Sequence, residues 1–250
     1  MTIDVAGSFP ADPTGPAGDQ GIGVICPYDM ALDRELWRWM PAGVSLLITR
    51  TPFYDQAVSV EMAKDISDQE EIRAAVRSLM AVRPQVVAYA CTSGSFVDGV
   101  DGERSLSAAM LAAGAPAAVT TSGALLLALE DLHAVRVAVA TPYAAELTDR
   151  LAGFLAEAGR AAVSHVGLGL DREIWKVPYA VTCELIRQAD RPEADAVFLS
   201  CTNLPSYDVI THMERELGKP VLTANQVTAW AALRVLGKGA VGPGQRLLKG

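Results

Sequence analysis

The sequence predicts an α/β protein built from two similar parallel-sheet halves that face each other across a cleft. Short apolar runs alternate with amphipathic stretches along most of the 250 residues, which is typical of parallel α/β folds. Two of the apolar runs end in the same Cys-Thr dipeptide, at Cys91 and Cys201. Two others end at Pro-Tyr, at Pro27 and Pro142, about equally far upstream of the two cysteines. This repeated spacing indicates two equivalent halves.

The first half begins after residues 1–20, which are rich in Gly, Pro, Ala and Asp and are expected to form a flexible tail. The first strand is stopped by Pro27. Leu32, Leu36 and Trp39 then fall on one face of a helix. The predicted order is strand 21–26, helix 29–40, strand 45–49, helix 68–81, strand 86–90 and helix 102–113.

The second half repeats the alternation. Ser122 is expected to cap the first helix, because a serine side chain accepts a hydrogen bond from an orphan N–H. We expect residues 21–116, completed by the C-terminal helix 226–237, to form one half and residues 117–225 the other. The predicted strands are 117–120, 135–140, 161–166, 196–200 and 221–223, and the helices are 122–132, 144–158, 179–189, 207–217 and 226–236.

Composition excludes several classes of protein. The formal charge of −8 and the lack of a Lys/Arg cluster argue against a nucleic-acid partner. No apolar stretch approaches the roughly 20 residues that span a membrane, and the N-terminus has no secretory signal. We therefore expect a cytoplasmic protein without a membrane partner. We also expect it to form a homo-oligomer.

The sequence shows no motif of the kind that usually binds a cofactor. Four scattered cysteines do not form a disulfide framework, and the three isolated histidines lack metal-ligand spacing. No glycine-rich dinucleotide motif or phosphate loop is present. The sequence predicts chemistry without metal, nucleotide or flavin.

Two of the cysteines are candidate catalytic residues. Cys91 and Cys201 each follow a strand and are expected to precede a helix, where a thiol pKa falls. Thr92, Ser93 and Gly94 can bind a carboxylate or a developing oxyanion. Two thiols on opposite sides of one carbon can exchange a proton between its faces, or one can attack while the other moves protons. A single such cysteine is usually a small buried apolar residue, but two in equivalent loops favour catalysis.

Other residues admit two interpretations each. Tyr143 is either a core ring or an active-site hydroxyl, and Pro27 and Tyr28 are either cleft wall or structural. Asn203 either caps a helix or binds a carboxylate. Cys26 is expected to be structural, and the remaining cysteine, Cys183, to pack within a helix.

Four motifs resemble those of known enzymes. They are Cys91-Thr92-Ser93-Gly94-Ser95-Phe96, Thr120-Thr121-Ser122-Gly123-Ala124, Ala140-Thr141-Pro142-Tyr143 and Ser200-Cys201-Thr202-Asn203. Together they resemble the aspartate/glutamate racemase superfamily, in the branch of maleate cis-trans isomerase, arylmalonate decarboxylase and the ectoine-utilisation protein A type. The resemblance covers nearly all of the chain after the tail, and residues 27–37 are most similar to the ectoine-utilisation type.

The resemblance implies two pseudo-symmetric flavodoxin-like halves and cofactor-free chemistry at the α-carbon of a carboxylic acid. In maleate isomerases the first cysteine adds to the double bond and the second handles the proton. Transferred to the matching positions, Cys91 is the nucleophile and Cys201 the acid/base. The residues that would then hold substrate carboxylates are Thr92, Ser93, Tyr143 and Thr202.

Departures from the family patterns narrow the function. Arylmalonate decarboxylases have glycine at the first cysteine, so Cys91 argues against that activity. Ser93 and Asn203 break the Cys-Asn-Thr and Cys-Thr-His patterns of amino-acid racemases. Where maleate isomerases have a loop containing serine and asparagine, residues 27–30 read Pro-Tyr-Asp-Met. If Asp29 faces the cleft, it repels one carboxylate of a dianion, which favours a monoacid or another small acid.

Three functions remain open. The first is an isomerase of small carboxylic acids, converting maleate to fumarate or acting on a close relative. The second is a two-thiol racemase or epimerase of an amino or hydroxy acid. The third is a non-catalytic binding protein for a small carboxylic acid.

Overall fold

Two four-stranded parallel sheets form the framework of the computed structural model, which describes residues 18–249. The strand orders are β2-β1-β3-β4 and β6-β5-β7-β8, so the two sheets repeat one topology. The predicted fold of two pseudo-symmetric α/β halves is confirmed. The expected flexible tail lies, up to residue 17, outside the described residues.

The first sheet and its helices occupy the chain up to Asp131. The elements are β1 (Gln20–Cys26), α1 (Asp33–Trp37), β2 (Val44–Arg50), α2 (Val60–Asp65), α3 (Gln69–Leu79), β3 (Val86–Tyr89), α4 (Thr92–Phe96), α5 (Gly99–Ala112), β4 (Ala118–Thr120) and α6 (Thr121–Asp131). The second sheet and its helices are β5 (Arg136–Thr141), α7 (Ala145–Glu157), β6 (Ala161–Gly167), α8 (Tyr179–Ala189), β7 (Ala196–Leu199), α9 (Tyr207–Leu217), β8 (Val221–Thr223) and α10 (Ala224–Val235).

The division between the halves differs from the expected one. β4 pairs in parallel with β3, with Val87 opposite Ala118, so this strand belongs to the first sheet. A division after residue 116 assigns β4 to the second half. A strand–helix repeat does not reveal which sheet a short strand joins, since only the pairing partner decides that. The C-terminal helix α10 packs against β3 and β4 of the first sheet and also against β8.

Helices α6 and α10 begin in the same way, and neither begins with a serine. The Thr120 hydroxyl accepts from the Gly123 N–H at 2.9 Å and caps α6, so the expected cap at Ser122 is wrong. The Thr223 hydroxyl accepts from the Gln226 N–H at 3.3 Å in a capping box that starts α10. Thr120 and Thr223 end equivalent strands, so the caps follow the pseudo-symmetry.

The segment after β1 is less helical than its apolar spacing predicts. The expected helix 29–40 is reduced to α1, and residues 27–32 form a loop. Tertiary contacts hold this loop: the Tyr28 N–H donates to Thr51 at 3.1 Å, and the Arg50 guanidinium donates to the Met30 carbonyl at 2.7 Å. These contacts override the local periodicity, and they bring the loop to the carboxyl end of β1. Two short helices, α2 and α4, were not predicted.

The carboxyl ends of the central strands lie at one edge of each buried sheet. Residues of β1, β3, β5 and β7 are almost all buried, so both layers of helices cover these strands. Helices α6 and α10 pack against each other, and the hydroxyls of Thr121 and Thr228 lie 2.8 Å apart at their contact. No helix within residues 18–249 is long and apolar enough to cross a membrane.

Candidate active site

One cavity lies between loops of the two halves and contains both candidate cysteines. The room that it leaves for solvent is only about 20 Å³, so its walls lie close together. Its wall is formed by Pro27, Asp29, Val58, Met62, Ile66, Cys91, Thr92, Ser93, Tyr143, Ile174, Cys201, Thr202 and Asn203. Every residue that the sequence proposed for the site is in this wall except Tyr28. Parallel strands explain this result, since the loops after β1, β3, β5 and β7 all emerge at carboxyl ends.

Cys91 lies at the end of β3 and is the N-cap of α4. Its sulfur accepts from the Gly94 N–H at 3.4 Å and lies 3.8 Å from the Ser93 hydroxyl. Burial raises the pKa of the Cys91 thiol, and hydrogen bonds from Gly94, Tyr89 and Ser93 oppose this rise. The expectation that the thiol pKa falls is therefore wrong for Cys91, because desolvation outweighs the donors.

Gly94 lets the Cys91 loop pack closely. A Cβ at this position would collide with the Tyr89 hydroxyl and lie 3.2 Å from the Cys91 sulfur. The Tyr89 hydroxyl is itself held by the Ile66 carbonyl at 2.8 Å, within the buried core. The turn after β3 thus requires a residue without a side chain.

Cys201 follows β7 in a different local structure. Its φ of +87° is in the region that L-residues rarely adopt, and the next helix, α9, begins only at Tyr207. Its sulfur accepts from the Asn203 N–H at 3.4 Å. Burial raises the pKa of Cys201 to about 12, opposed by hydrogen bonds from Asn203 and Tyr143. The predicted helix 207–217 is confirmed, but the expected lowering of the Cys201 pKa is wrong, because desolvation outweighs the donors.

Hydroxyl groups line the cavity beside the two thiols. Thr92 is 1 % exposed, and its side-chain oxygen has no hydrogen-bond partner. Ser93 and Thr202 are also buried in the wall. Tyr143 combines the two interpretations of the sequence: its ring is buried, and the residue forms part of the cavity wall together with Cys201. Burial raises the pKa of Tyr143 well above its ordinary value, so the phenol keeps its proton.

Asn203 joins the two halves of the molecule and does not cap a helix. Its side-chain amide donates to the Asp29 carbonyl at 3.0 Å and accepts from the Ala31 N–H at 2.9 Å. Asp29 is thereby held at the cavity wall. Tyr28 does not contribute to the wall, and its hydroxyl donates to the Gln56 carbonyl at 3.3 Å. Burial raises the pKa of this hydroxyl.

An apolar part of the wall was not predicted. Val58, Met62 and Ile66 come from α2 and the segment around it, and Ile174 comes from the loop after β6. The Val58 N–H donates to the Asp171 carbonyl at 2.8 Å, so the loops of the two halves meet over the cavity. Single apolar residues in loops carry no sequence signal of this role.

The other two cysteines lie outside the cavity wall. Cys26 is fully buried at the end of β1, and burial raises its pKa to about 12. Cys183 lies on α8 and is half-buried. Among the described residues, no three His, Cys, Asp or Glu side chains are grouped to hold a metal ion.

Relatives of known activity match this chain over two thirds of their length. An arylmalonate decarboxylase of Bordetella bronchiseptica is 34 % identical over 168 residues, which are 66 % of this chain and 70 % of that protein. A maleate isomerase of Nocardia farcinica is 33 % identical over 175 residues, with the same two shares of 66 % and 70 %.

A solved structure and a family model agree with these relatives. The maleate cis-trans isomerase of Nocardia farcinica bound to Tris superposes with a TM-score of 0.84 at 27 % identity, over 92 % of this chain and 98 % of that one. A variant of that enzyme, with the same TM-score, contains a covalently bound succinylcysteine intermediate. The family model described as arylmalonate decarboxylase matches residues 41–248. The chain thus belongs to the arylmalonate decarboxylase family, the group of cysteine enzymes that the motifs at Cys91 and Cys201 resemble.

Proposed function

We propose that the protein is a cofactor-independent isomerase that interconverts the cis and trans forms of a small unsaturated carboxylic acid of the maleate kind. The observation that carries this proposal is the presence of two thiols, Cys91 and Cys201, in the wall of one cavity. The maleate isomerase relatives support it, as does the succinylcysteine intermediate in one of their structures.

In the proposed reaction Cys91 first releases its proton to water, and the resulting thiolate forms a C–S bond to one carbon of the double bond. The π electron pair moves toward the carboxylate conjugated with the other carbon. The Cys201 thiol then gives its proton to that carbon, which leaves a single bond that rotates. Reversal of the two steps returns the proton to Cys201, expels Cys91 and leaves the trans acid. A pKa of about 12 suits Cys201 to hold its proton until this transfer.

The hydroxyls of Thr92, Ser93 and Thr202 would hold the carboxylate on which charge develops. Groups that are fixed before the reaction stabilise such charge without reorganising. Tyr143 would support Cys201, since both residues lie in the cavity wall.

Decarboxylation and racemisation are the competing activities. Arylmalonate decarboxylases resemble this chain but have glycine at the position of Cys91, so the additional thiol favours isomerisation. The two cysteines follow equivalent strands, β3 and β7, of the two pseudo-symmetric sheets. This equivalence favours a racemase in which the two thiols act as a symmetric acid–base pair. The two mechanisms differ in whether a covalent adduct forms.

Intact-protein mass spectrometry after mixing with maleate distinguishes these mechanisms. Cys201→Ser is expected to accumulate an adduct on Cys91, because addition proceeds and the proton transfer stalls. Cys91→Ser is expected to form no adduct. Cys183→Ser, outside the cavity wall, is the matched control and should turn over like the unchanged protein.

Proton NMR in deuterium oxide, without added cofactor, follows the product. Appearance of the trans acid supports the proposal. Absence of any adduct in the Cys201→Ser protein, together with exchange at a stereocentre of an amino or hydroxy acid, would replace it by racemisation. If no acid is altered, the binding-protein alternative stands.

A further inference from the structure

Among residues 18–249, Asp29 is the one charged residue in the wall of the two-thiol cavity. Within residues 18–249, no lysine, arginine or histidine contributes to that wall. A dianion such as maleate would therefore meet a negative charge and no positive one. Unpaired charge in a desolvated site is unfavourable, so this wall is poorly matched to two carboxylates.

Arg50 does not compensate for Asp29 by binding a ligand. Its guanidinium donates to the carbonyls of Met30 at 2.7 Å and Pro27 at 3.3 Å. It also pairs with the Asp33 carboxylate at 2.6 Å. These contacts support the loop that carries Asp29, and Arg50 is not part of the cavity wall.

Asp29 is fixed in its position by the opposite half of the molecule. Asn203 holds its carbonyl and the neighbouring Ala31 N–H, as described above. Although Asp29 is exposed, surrounding protein atoms raise the pKa of its carboxyl group. Burial is the main cause of the raised pKa of both Cys91 and Cys201, and the charge of Asp29 adds to it. Asp29 and both thiols lie in the wall of the same cavity.

Donors for one carboxylate are present elsewhere in the wall. The buried Thr92 hydroxyl has no partner, and Ser93 and Thr202 add two more hydroxyls. Hydroxyl donors suit an anionic carboxylate, whereas the Asp29 carboxylate can only accept hydrogen bonds while ionised. The wall therefore offers donors to one end of a ligand and an acceptor to the other.

We propose that Asp29 determines specificity by selecting a monocarboxylate whose second end carries a hydrogen-bond donor, such as a primary amide or an amine, in place of a second carboxylate. This inference rests on the proposed isomerase function and names its substrate class. The half-amide of maleate, maleamate, is the simplest acid of this kind.

Isothermal titration with saturated acids tests the selectivity without any reaction. Succinate and succinamate differ only by the exchange of one carboxylate for an amide, and neither can accept a thiol. We expect the unchanged protein to bind succinamate at least about 10-fold more tightly than succinate, because only the dianion meets Asp29 with like charge. Asp29→Asn is expected to remove or reverse this preference, whereas Asp29→Glu should retain it.

Asp55→Asn is the matched control for the loss of one negative charge near the cleft. Asp55 is 84 % exposed in its side chain, pairs with Arg172 at 3.7 Å and is not in the cavity wall. Its substitution should leave the ratio of the two affinities unchanged. If circular dichroism shows that the Asp29→Asn protein does not fold, the Asp29→Ser protein is used in its place.

Equal affinities for the two acids in the unchanged protein would overturn the inference, as would a ratio that Asp29→Asn and Asp29→Ser do not alter. Turnover of maleamate and maleate separates this outcome from failure of the proposed function. If a Cys91 adduct forms but the ratio is unity, Asp29 does not select and the isomerase stands. If the ratio holds and neither acid reacts, the isomerase fails and Asp29 still selects the ligand.

Discussion

Thr92 has a buried hydroxyl without a partner, which is unfavourable in a folded protein unless a ligand binds it. We expect Thr92→Val to lower kcat by about 100-fold or more, as when one oxyanion donor is removed. The melting temperature of the Thr92→Val protein should be unchanged or higher, because no hydrogen bond within the protein is lost. Steady-state kinetics and thermal unfolding measure the two effects.

Thr121→Val is the control for a hydroxyl that has partners. Thr121 donates to the Tyr89 carbonyl at 3.2 Å and lies 2.8 Å from the Thr228 hydroxyl, outside the cavity wall. Its substitution should reduce stability by about 1 kcal/mol and leave kcat nearly unchanged. A Thr92→Val protein with full activity would place that hydroxyl outside the reaction.

The raised thiol pKa values predict slow alkylation at neutral pH. A raised pKa keeps Cys91 and Cys201 protonated, and the thiolate is the reactive form. Iodoacetamide should therefore modify both more slowly than free cysteine at pH 7, with rates that rise as the pH increases above 9. Peptide mapping by mass spectrometry measures the rate of modification of each cysteine, and the protein unfolded in urea is the control.

Asp29→Asn should accelerate alkylation of Cys91 and Cys201 at a given pH. Burial remains the main cause of their raised pKa, but the variant removes a negative charge that adds to it. Modification of Cys91 at pH 7 faster than that of free cysteine would contradict its raised pKa.

At the scale of elements, the turn between β3 and α4 depends on Gly94. Gly94→Ala places a Cβ against the Tyr89 hydroxyl and the Cys91 sulfur. We expect a loss of about 1–3 kcal/mol in stability, typical of overpacking, and a loss of activity because Cys91 is displaced. Gly153→Ala in α7, where nothing lies within 4 Å, should instead stabilise the protein by about 0.5–1 kcal/mol. Urea denaturation compares the two, and equal stabilities would refute the packing argument.

The loop from Cys201 to α9 is anchored by the buried carboxylate of Glu35 in α1. Glu35 accepts from the Ser206 N–H at 2.9 Å, its hydroxyl at 2.7 Å and the Asn225 amide at 3.2 Å. The Asn225 amide also donates to the Thr202 carbonyl at 2.9 Å. This network supports the loop that begins at Cys201, the residue whose φ is +87°.

Glu35→Ala should therefore impair Cys201 more than Cys91. We expect stability to fall by about 1–3 kcal/mol, since buried donors lose their acceptor. The Cys91 adduct with an unsaturated acid should still form, while its resolution slows. Glu35→Gln keeps one acceptor oxygen and should show smaller effects. Equal loss of adduct formation and resolution would indicate general disruption instead.

At the scale of the whole molecule, the two halves meet over the cavity through one backbone hydrogen bond, from Val58 to Asp171. We expect a ligand to enter when these loops separate. The Val58 amide should therefore exchange with deuterium much faster than amides at the centre of β1, and more slowly with succinamate bound. Exchange measured by NMR checks this. A Val58 amide as protected as the core without ligand would show that the entry path lies elsewhere.

Much of the architecture and of the site was predictable from local patterns. Alternating strands and helices predicted both sheets, and the Cys-Thr and Pro-Tyr repeats predicted their equivalence. Strand ends of one parallel sheet share an edge, and the edges of the two sheets face each other, which brings Cys91 and Cys201 to one cavity. Tyr28 stays a prediction outside the cavity wall, since its position in the sequence does not reveal that its hydroxyl bonds to Gln56.

The sequence by itself determined the fold class and pointed to the two thiols and the hydroxyl neighbours that share one cavity wall, because periodicity and strand ends are local properties of the chain. Tertiary structure alone decided that β4 joins the first sheet, that Asn203 holds the Asp29 loop and that Val58 and Ile174 cover the cavity. It also decided the direction of the thiol pKa values. Those features depend on pairing partners and on burial by distant segments, and desolvation is a property of the packed molecule that no short stretch of sequence contains.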